Sequence, residues 1–215
     1  MIGVNEMNVG KKESQKNVNY TYIENGSKTI CFMLSGTGYT YDKPLLYYAT
    51  MLMIEKQFDI VQIHYSYGKE LFDNELQYVA ELIEADVDSV VTEVLKGANY
   101  EQIVFLGKSL GTIPLISKYI HDESYSKCKT ILLTPLLKFD LFSDGVMNSS
   151  NEMLIVIGNE DSHYIAEKIV KLQERANIDM LEIANANHSL EVEPTNTFRS
   201  LKEMSEVMEV IRTFI

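Results

Sequence analysis

Short apolar runs and helical stripes alternate along this chain. Thr29 to Leu34, Ile103 to Leu106, Thr130 to Leu133 and Met153 to Ile157 are apolar almost throughout. Runs of this length bounded by turn residues read as strands buried on both faces. Phe58 to His64 and Met180 to Ile183 are more mixed members of the same set. Val18 to Glu24 alternates and is rich in Tyr and Thr, the habit of a half-exposed strand. The Asn25-Gly26 dipeptide that follows predicts a tight hairpin into the strand at Thr29. Residues 1–17 lack periodicity and read as either a mobile tail or an edge strand.

Helical patterns fill the intervals. Asp42 as N-cap and Pro44 in the first turn open a helix that should run to Gln57. Leu76, Val79, Ile83, Val87, Val90 and Val94 recur every three or four positions, predicting one long helix from Leu71 to Lys96 that Gly97 stops. Further helices are expected after Gly111 to Ile120 and after Asp161 to about Ala176. A last one, Thr197 to Phe214, should bury Phe198, Leu201, Met204, Met208 and Ile211. Residues 135–150 show little helical periodicity, and Ser143-Asp144-Gly145 and Asn148-Ser149-Ser150 look like turns. A loop is expected from Ala186 through Pro194. Strands alternating with helices predict an α/β fold: a mostly parallel sheet of about seven strands, an N-terminal antiparallel hairpin, and helices on both faces. One domain over 18–215 accommodates all of it.

Composition narrows the function. The formal net charge of −12 argues against nucleic acid or an anionic membrane surface as partner. No apolar run reaches the ~18 residues of a membrane helix. The polar, Lys/Asn-rich first 17 residues lack the apolar stretch of a signal peptide. With Cys31 and Cys128 as the only cysteines, the expectation is a cytoplasmic chain with reduced thiols.

Candidate chemistry sits where strands end, the edge at which open parallel sheets collect ligands. The strand at 103–106 enters Gly107-Lys108-Ser109-Leu110-Gly111, a G-x-S-x-G between strand and helix. So sharp a turn strains the serine backbone and needs small residues on either side for the flanking segments to approach. Two later strands end in Gly158-Asn159-Glu160-Asp161 and Ala186-Asn187-His188-Ser189. A serine hydroxyl becomes a nucleophile only beside a base. His188 suits that role, with Asp161 to fix its tautomer. Glu160 and Asp140 are alternative acids, and His64 is an alternative base. His163 reads as a helix-start or surface residue, and His121 as a cation at a helix C-terminus. Oxyanion charge would fall to the backbone N–H groups of Leu110 and of Thr37, in the small-residue loop Ser35-Gly36-Thr37-Gly38. Tyr39, Tyr41, His64 and Tyr65, with Tyr67, form either an aromatic pocket wall or filler at the sheet rim. Lys108 would favour an anionic substrate or point to solvent. Gly107-Lys108-Ser109 also resembles the end of a phosphate-binding loop, but Gln102 stands where its first glycine belongs, and the intervening residues form a strand. No ligand pair shows zinc-site spacing, so no metal or other cofactor is expected.

On these motifs the chain resembles the α/β-hydrolase family in a compact bacterial form. The likeness runs from about residue 18 to the end, with the elbow at Gly107–Gly111 and the family's chain order of Ser109, then Asp161, then His188. Ser35 departs from the His that many members carry. The resemblance implies a serine hydrolase that cleaves an ester, thioester or related acyl bond of a small molecule through an acyl-enzyme. With only residues 135–150 after the strand that ends near Leu133, it also implies an open site without a large lid. A catalytically silent ligand-binding protein and an acyltransferase are the alternatives on the same fold.

Overall fold

The computed structural model describes residues 8–14, 17–192 and 196–215. In chain order the strands are β1 (Asn8–Glu13), β2 (Asn19–Glu24), β3 (Thr29–Leu34), β4 (Asp59–His64), β5 (Gln102–Lys108), β6 (Lys129–Leu133), β7 (Met153–Gly158) and β8 (Ile178–Ile183). These eight form one sheet in the order β1-β2-β4-β3-β5-β6-β7-β8. From β4 to β8 all neighbours are parallel, and β2 and β1 are added antiparallel at one edge.

The N-terminal hairpin is present, but its partners differ from the sequence expectation. β2 pairs with β1 and β4, and β4 separates it from β3. Asn25-Gly26 therefore belongs to a crossing between strands that are not neighbours. Asp59, at the start of β4, holds that crossing: its Oδ1 accepts the N–H groups of Asn25 at 2.7 Å and Ser27 at 3.1 Å. Residues 8–13 take the edge-strand alternative. Residues 1–7, 15 and 16 lie outside the described residues, as does the stretch 193–195 of the loop expected through Pro194.

Helix α1 (Pro44–Glu55) starts with proline at its first position, where a missing N–H is harmless. Its N-cap is Lys43, not Asp42, whose carboxylate accepts from the Thr40 hydroxyl instead. The long pattern after Leu71 divides into a 3-10 turn over Lys69–Asp73 and α2 (Leu76–Leu95). Val79, Ile83, Val87 and Val90 of α2 are all buried, each contributing roughly 1.5–3 kcal/mol. Beyond the elbow, α3 (Thr112–Pro114) continues as a π-helical turn over Leu115–Tyr119. The turn-like stretch near Ser143 is in fact α4 (Asp140–Asn148). Helices α5 (Ala166–Gln173) and α6 (Thr197–Phe214) complete the set. In α6, Val207, Ile211 and Phe214 are buried, whereas Phe198 and Leu201 are 87% and 54% exposed because the helix starts out beyond the sheet's cover.

Strand residues alternate between two cores. Phe32, Leu34 and Phe105 face α2, α4 and α5, while Cys31, Met33, Val104 and Leu106 face α1 and α6. No helix among the described residues is long and apolar enough to cross a membrane.

Candidate active site

The elbow is built by close backbone approach. A β-carbon on Gly107 would lie 2.4 Å from the Gly111 carbonyl oxygen, and one on Gly111 would lie 2.3 Å from that of Leu34. Neither position tolerates a side chain, so β5 can turn within one residue into the 3-10 turn Ser109–Gly111. The turn leaves Ser109 at φ 52°, a left-handed conformation that costs a non-glycine residue about 1–3 kcal/mol. Gly36 presses against the same corner, its virtual β-carbon 3.2 Å from that of Ser109.

Two more strand-end loops reach this corner. Asp161 follows β7, and its side chain is wholly buried. Its Oδ2 lies 2.7 Å from His188 Nδ1, and its Oδ1 accepts the His163 N–H at 2.9 Å. His188 follows β8, with Nε2 2.8 Å from Ser109 Oγ. An ionised carboxylate only accepts, which puts the proton on Nδ1 and leaves Nε2 free to receive the serine proton. The histidine loop is fixed by Asn187, whose Oδ1 accepts the N–H groups of Ser189 and Glu191. Glu160 is exposed, and the carboxylate of Asp140 pairs with Lys168 at 2.7 Å. Neither alternative acid reaches the histidine.

Thr37, Ser109 and Leu110 share the lining of a cavity of about 250 Å³. Its apolar wall comes from Phe72, Leu76, Val79, Ile113, Leu136 and Phe139. His163 also lines it, with Nδ1 buried and without a hydrogen-bond partner. Burial pulls the His163 imidazole below its usual pKa, so it is neutral near pH 7. Its nearness to Asp161 follows from a spacing of two residues, but its place in the wall had no signal in the sequence. Asp161, His163 and His188 hold ligand-type atoms within 4.8 Å of one another. Both Asp161 oxygens are engaged, however, and a cation there would have to break the contact to His188.

Of the aromatic candidates, Tyr39 lines a neighbouring groove of about 530 Å³ with Ser189 and Leu190. The others line neither of these two cavities. Tyr41 donates its hydroxyl to the carbonyls of Met33 and Ile63. Tyr65 donates to the Ser35 carbonyl at 2.6 Å, bracing the loop that carries Thr37. Tyr67 donates to Asp86, His64 is exposed and bonded to Thr21, and His121 is exposed in the turn just past Tyr119. Strand ends next to the elbow thus carry structural phenols, because the backbone carbonyls there need donors.

Lys108 reverses its expectation. It is 1% exposed and faces neither solvent nor the cavity. Its Nζ donates to Thr134 Oγ1 and to the His188 carbonyl, each at 3.1 Å, and lies 4.5 Å from the centroid of the Tyr39 ring. Burial pushes its pKa down to about 8, with the Asp161 carboxylate opposing that shift. Thr134, its buried partner, sits at φ 47° just past β6.

No protein-family model matches the chain, and no curated protein matches it in sequence. Solved structures do. The esterase Pf2001 of Pyrococcus furiosus superposes with a TM-score of 0.70 at 13% identity, over 97% of this chain and 91% of that one. An alpha-beta serine hydrolase homologue from Coxiella burnetii gives 0.67 at 14% identity, covering 99% and 98%. Est1E from Butyrivibrio proteoclasticus, solved with ferulic acid bound, gives 0.64 at 14% identity, covering 94% and 99%. The overall fold thus recurs in chains that share few residues with this one.

Proposed function

We propose, from the α/β-hydrolase fold of this chain, that it is a serine hydrolase cleaving the ester or thioester bond of a small molecule. The observation that carries the reading is the relay Ser109 Oγ, His188, Asp161, with contacts of 2.8 and 2.7 Å and the serine on a strained turn. Ser109 Oγ attacks the acyl carbon while its proton passes to His188 Nε2. Asp161 stabilises the imidazolium without taking the proton. The N–H groups of Leu110 and Thr37 receive the oxyanion, such donors being worth roughly 3–4 kcal/mol each. Collapse of the tetrahedral species breaks the bond to the alcohol or thiol, which leaves with the proton from His188. Water, deprotonated by the same histidine, then releases the acid from Ser109.

The cavity supports a substrate class. Its apolar lining offers no cation to a phosphate or carboxylate, and its volume suits a short aliphatic or single-ring acyl group. Residues 135–150 form only the short helix α4, which supports an open site without a large cap. Cys31 and Cys128 are buried and unpaired, in keeping with a reducing, cytoplasmic setting. The test is a panel of p-nitrophenyl esters and acyl thioesters, with fluorophosphonate labelling, on wild type and Ser109→Ala. Hydrolysis and labelling that both vanish in Ser109→Ala are expected. Activity that survives the substitution removes the nucleophile. Small acyl compounds bound by a wild type that never labels would favour a silent binding protein, and acyl transfer to an added alcohol in preference to water would make it an acyltransferase.

A further inference from the structure

We infer that Lys108 is a positioning residue for the base, its ammonium clamping the backbone of His188 to the strand ends that carry Ser109 and Thr134. This rests on the reading of Ser109 and His188 as nucleophile and base. The two Nζ hydrogen bonds span very different separations in sequence, 26 residues to Thr134 and 80 to His188. The third contact, with the face of Tyr39, engages the loop of Thr37, and the Tyr39 hydroxyl accepts the Leu45 N–H at the start of α1. One side chain therefore joins the segments that supply the nucleophile, the base and the proposed oxyanion donor. It holds His188 through its carbonyl and leaves the ring free to tilt between Ser109 and the leaving group.

The chemistry of the contacts favours the charged form. An ammonium donates to a carbonyl and a hydroxyl more strongly than a neutral amine does, and only the ammonium is attracted to an aromatic face. The titratable groups facing it are Asp161 from the loop after β7, His188 from the loop after β8, Tyr39 from the loop after β3, and His163 more distantly. Asp161 is the wholly buried carboxylate among them and supplies the counter-charge. Deprotonation of Lys108 removes that attraction and weakens the bond to His188. The base loosens as a result.

The test uses the whole protein. Fluorophosphonate labelling of Ser109 is timed from about pH 6 to about pH 10 in wild type, Lys108→Met and Thr134→Val, beside an NMR titration of the His188 imidazole. Wild type should lose labelling rate on the alkaline side as the lysine titrates. Lys108→Met, of similar length but without charge or donors, should label roughly a hundredfold more slowly and lack that alkaline limb. Thr134→Val removes an acceptor that favours the ammonium and should move the limb to lower pH. A Lys108→Met protein that labels within about threefold of wild type with the same pH profile overturns the clamp. If that variant does not fold, an unmoved limb in Thr134→Val overturns it instead. If wild type never labels, the hydrolase reading falls by itself. The clamp is then decided by NMR, where a His188 titration unchanged in both variants refutes it.

Discussion

Gly158 and Ala186 approach so closely that a β-carbon on the glycine would sit 2.1 Å from the alanine's carbonyl oxygen. The contact lies three residues before Asp161 and two before His188, where the Glu160 N–H also donates to the Ala186 carbonyl at 3.0 Å. It sets the spacing of the loops that carry Asp161 and His188. Gly158→Ala should force them apart, lowering the melting temperature and cutting kcat on a p-nitrophenyl ester by roughly a hundredfold. Wild-type turnover in this variant would show that the loops are spaced by something else.

Ser109 gives a prediction in which activity and stability part company. Alanine and glycine at 109 both lack the hydroxyl, and both should be inert. Only glycine relieves the positive φ, so Ser109→Gly should unfold at higher urea than Ser109→Ala, by about 1 kcal/mol. Equal midpoints would mean the elbow stores no strain at that residue.

Asp161→Asn keeps the volume of the side chain but can present an N–H to His188 Nδ1. The imidazole then carries its proton on Nε2 and cannot accept from Ser109. A fall of roughly 10⁴-fold in kcat is expected, read by single-turnover hydrolysis. A drop of less than tenfold would remove Asp161 from the relay.

His64→Ala separates the site from the sheet rim. His64 meets Thr21 and Tyr41, not the cavity. Its removal should leave kcat/KM within about twofold of wild type, and stability within about 0.5 kcal/mol. A large loss of activity would restore it to the site.

Lys108 also leaves a mark on stability. Burial takes its pKa from 10.5 in the ordinary case to about 8 in the folded chain. Between those values the unfolded chain binds more protons than the folded one, so this group makes stability rise with pH across that window. The raised phenols of Tyr41 and Tyr67 pull the other way, but they do so in any variant that retains them. Urea unfolding at about pH 7.5 and about pH 9.5 should therefore show wild type gaining on Lys108→Met. A gap that stays constant between the two would contradict the shift.

The order of strands and helices was readable because buried strands here are uninterrupted apolar runs, and α2 repeats its valines at helical spacing. Ser109 and Asp161 stood out because each follows such a run, and His188 because it follows the more mixed strand that ends at Ile183. Pairing across the sheet was not readable, and Asn25-Gly26 pointed to a hairpin that the position of β4 forbids. Helix α4 was hidden by Gly145, which looks like a turn residue. It serves close packing instead: a β-carbon there would meet Ile116 Cγ2 at 2.8 Å. The burial of Lys108 left no local trace, since its partners arrive from distant strand ends.

From β5 onward the sheet grows outward one strand at a time, in chain order. A ribosome making this protein therefore releases β3 and β5, whose ends meet at the serine corner, well before the stretch that holds His188. For the interval in which those later strands are being made, Ser109 has no His188 beside it, and the proposed hydrolysis waits for the loop that follows β8.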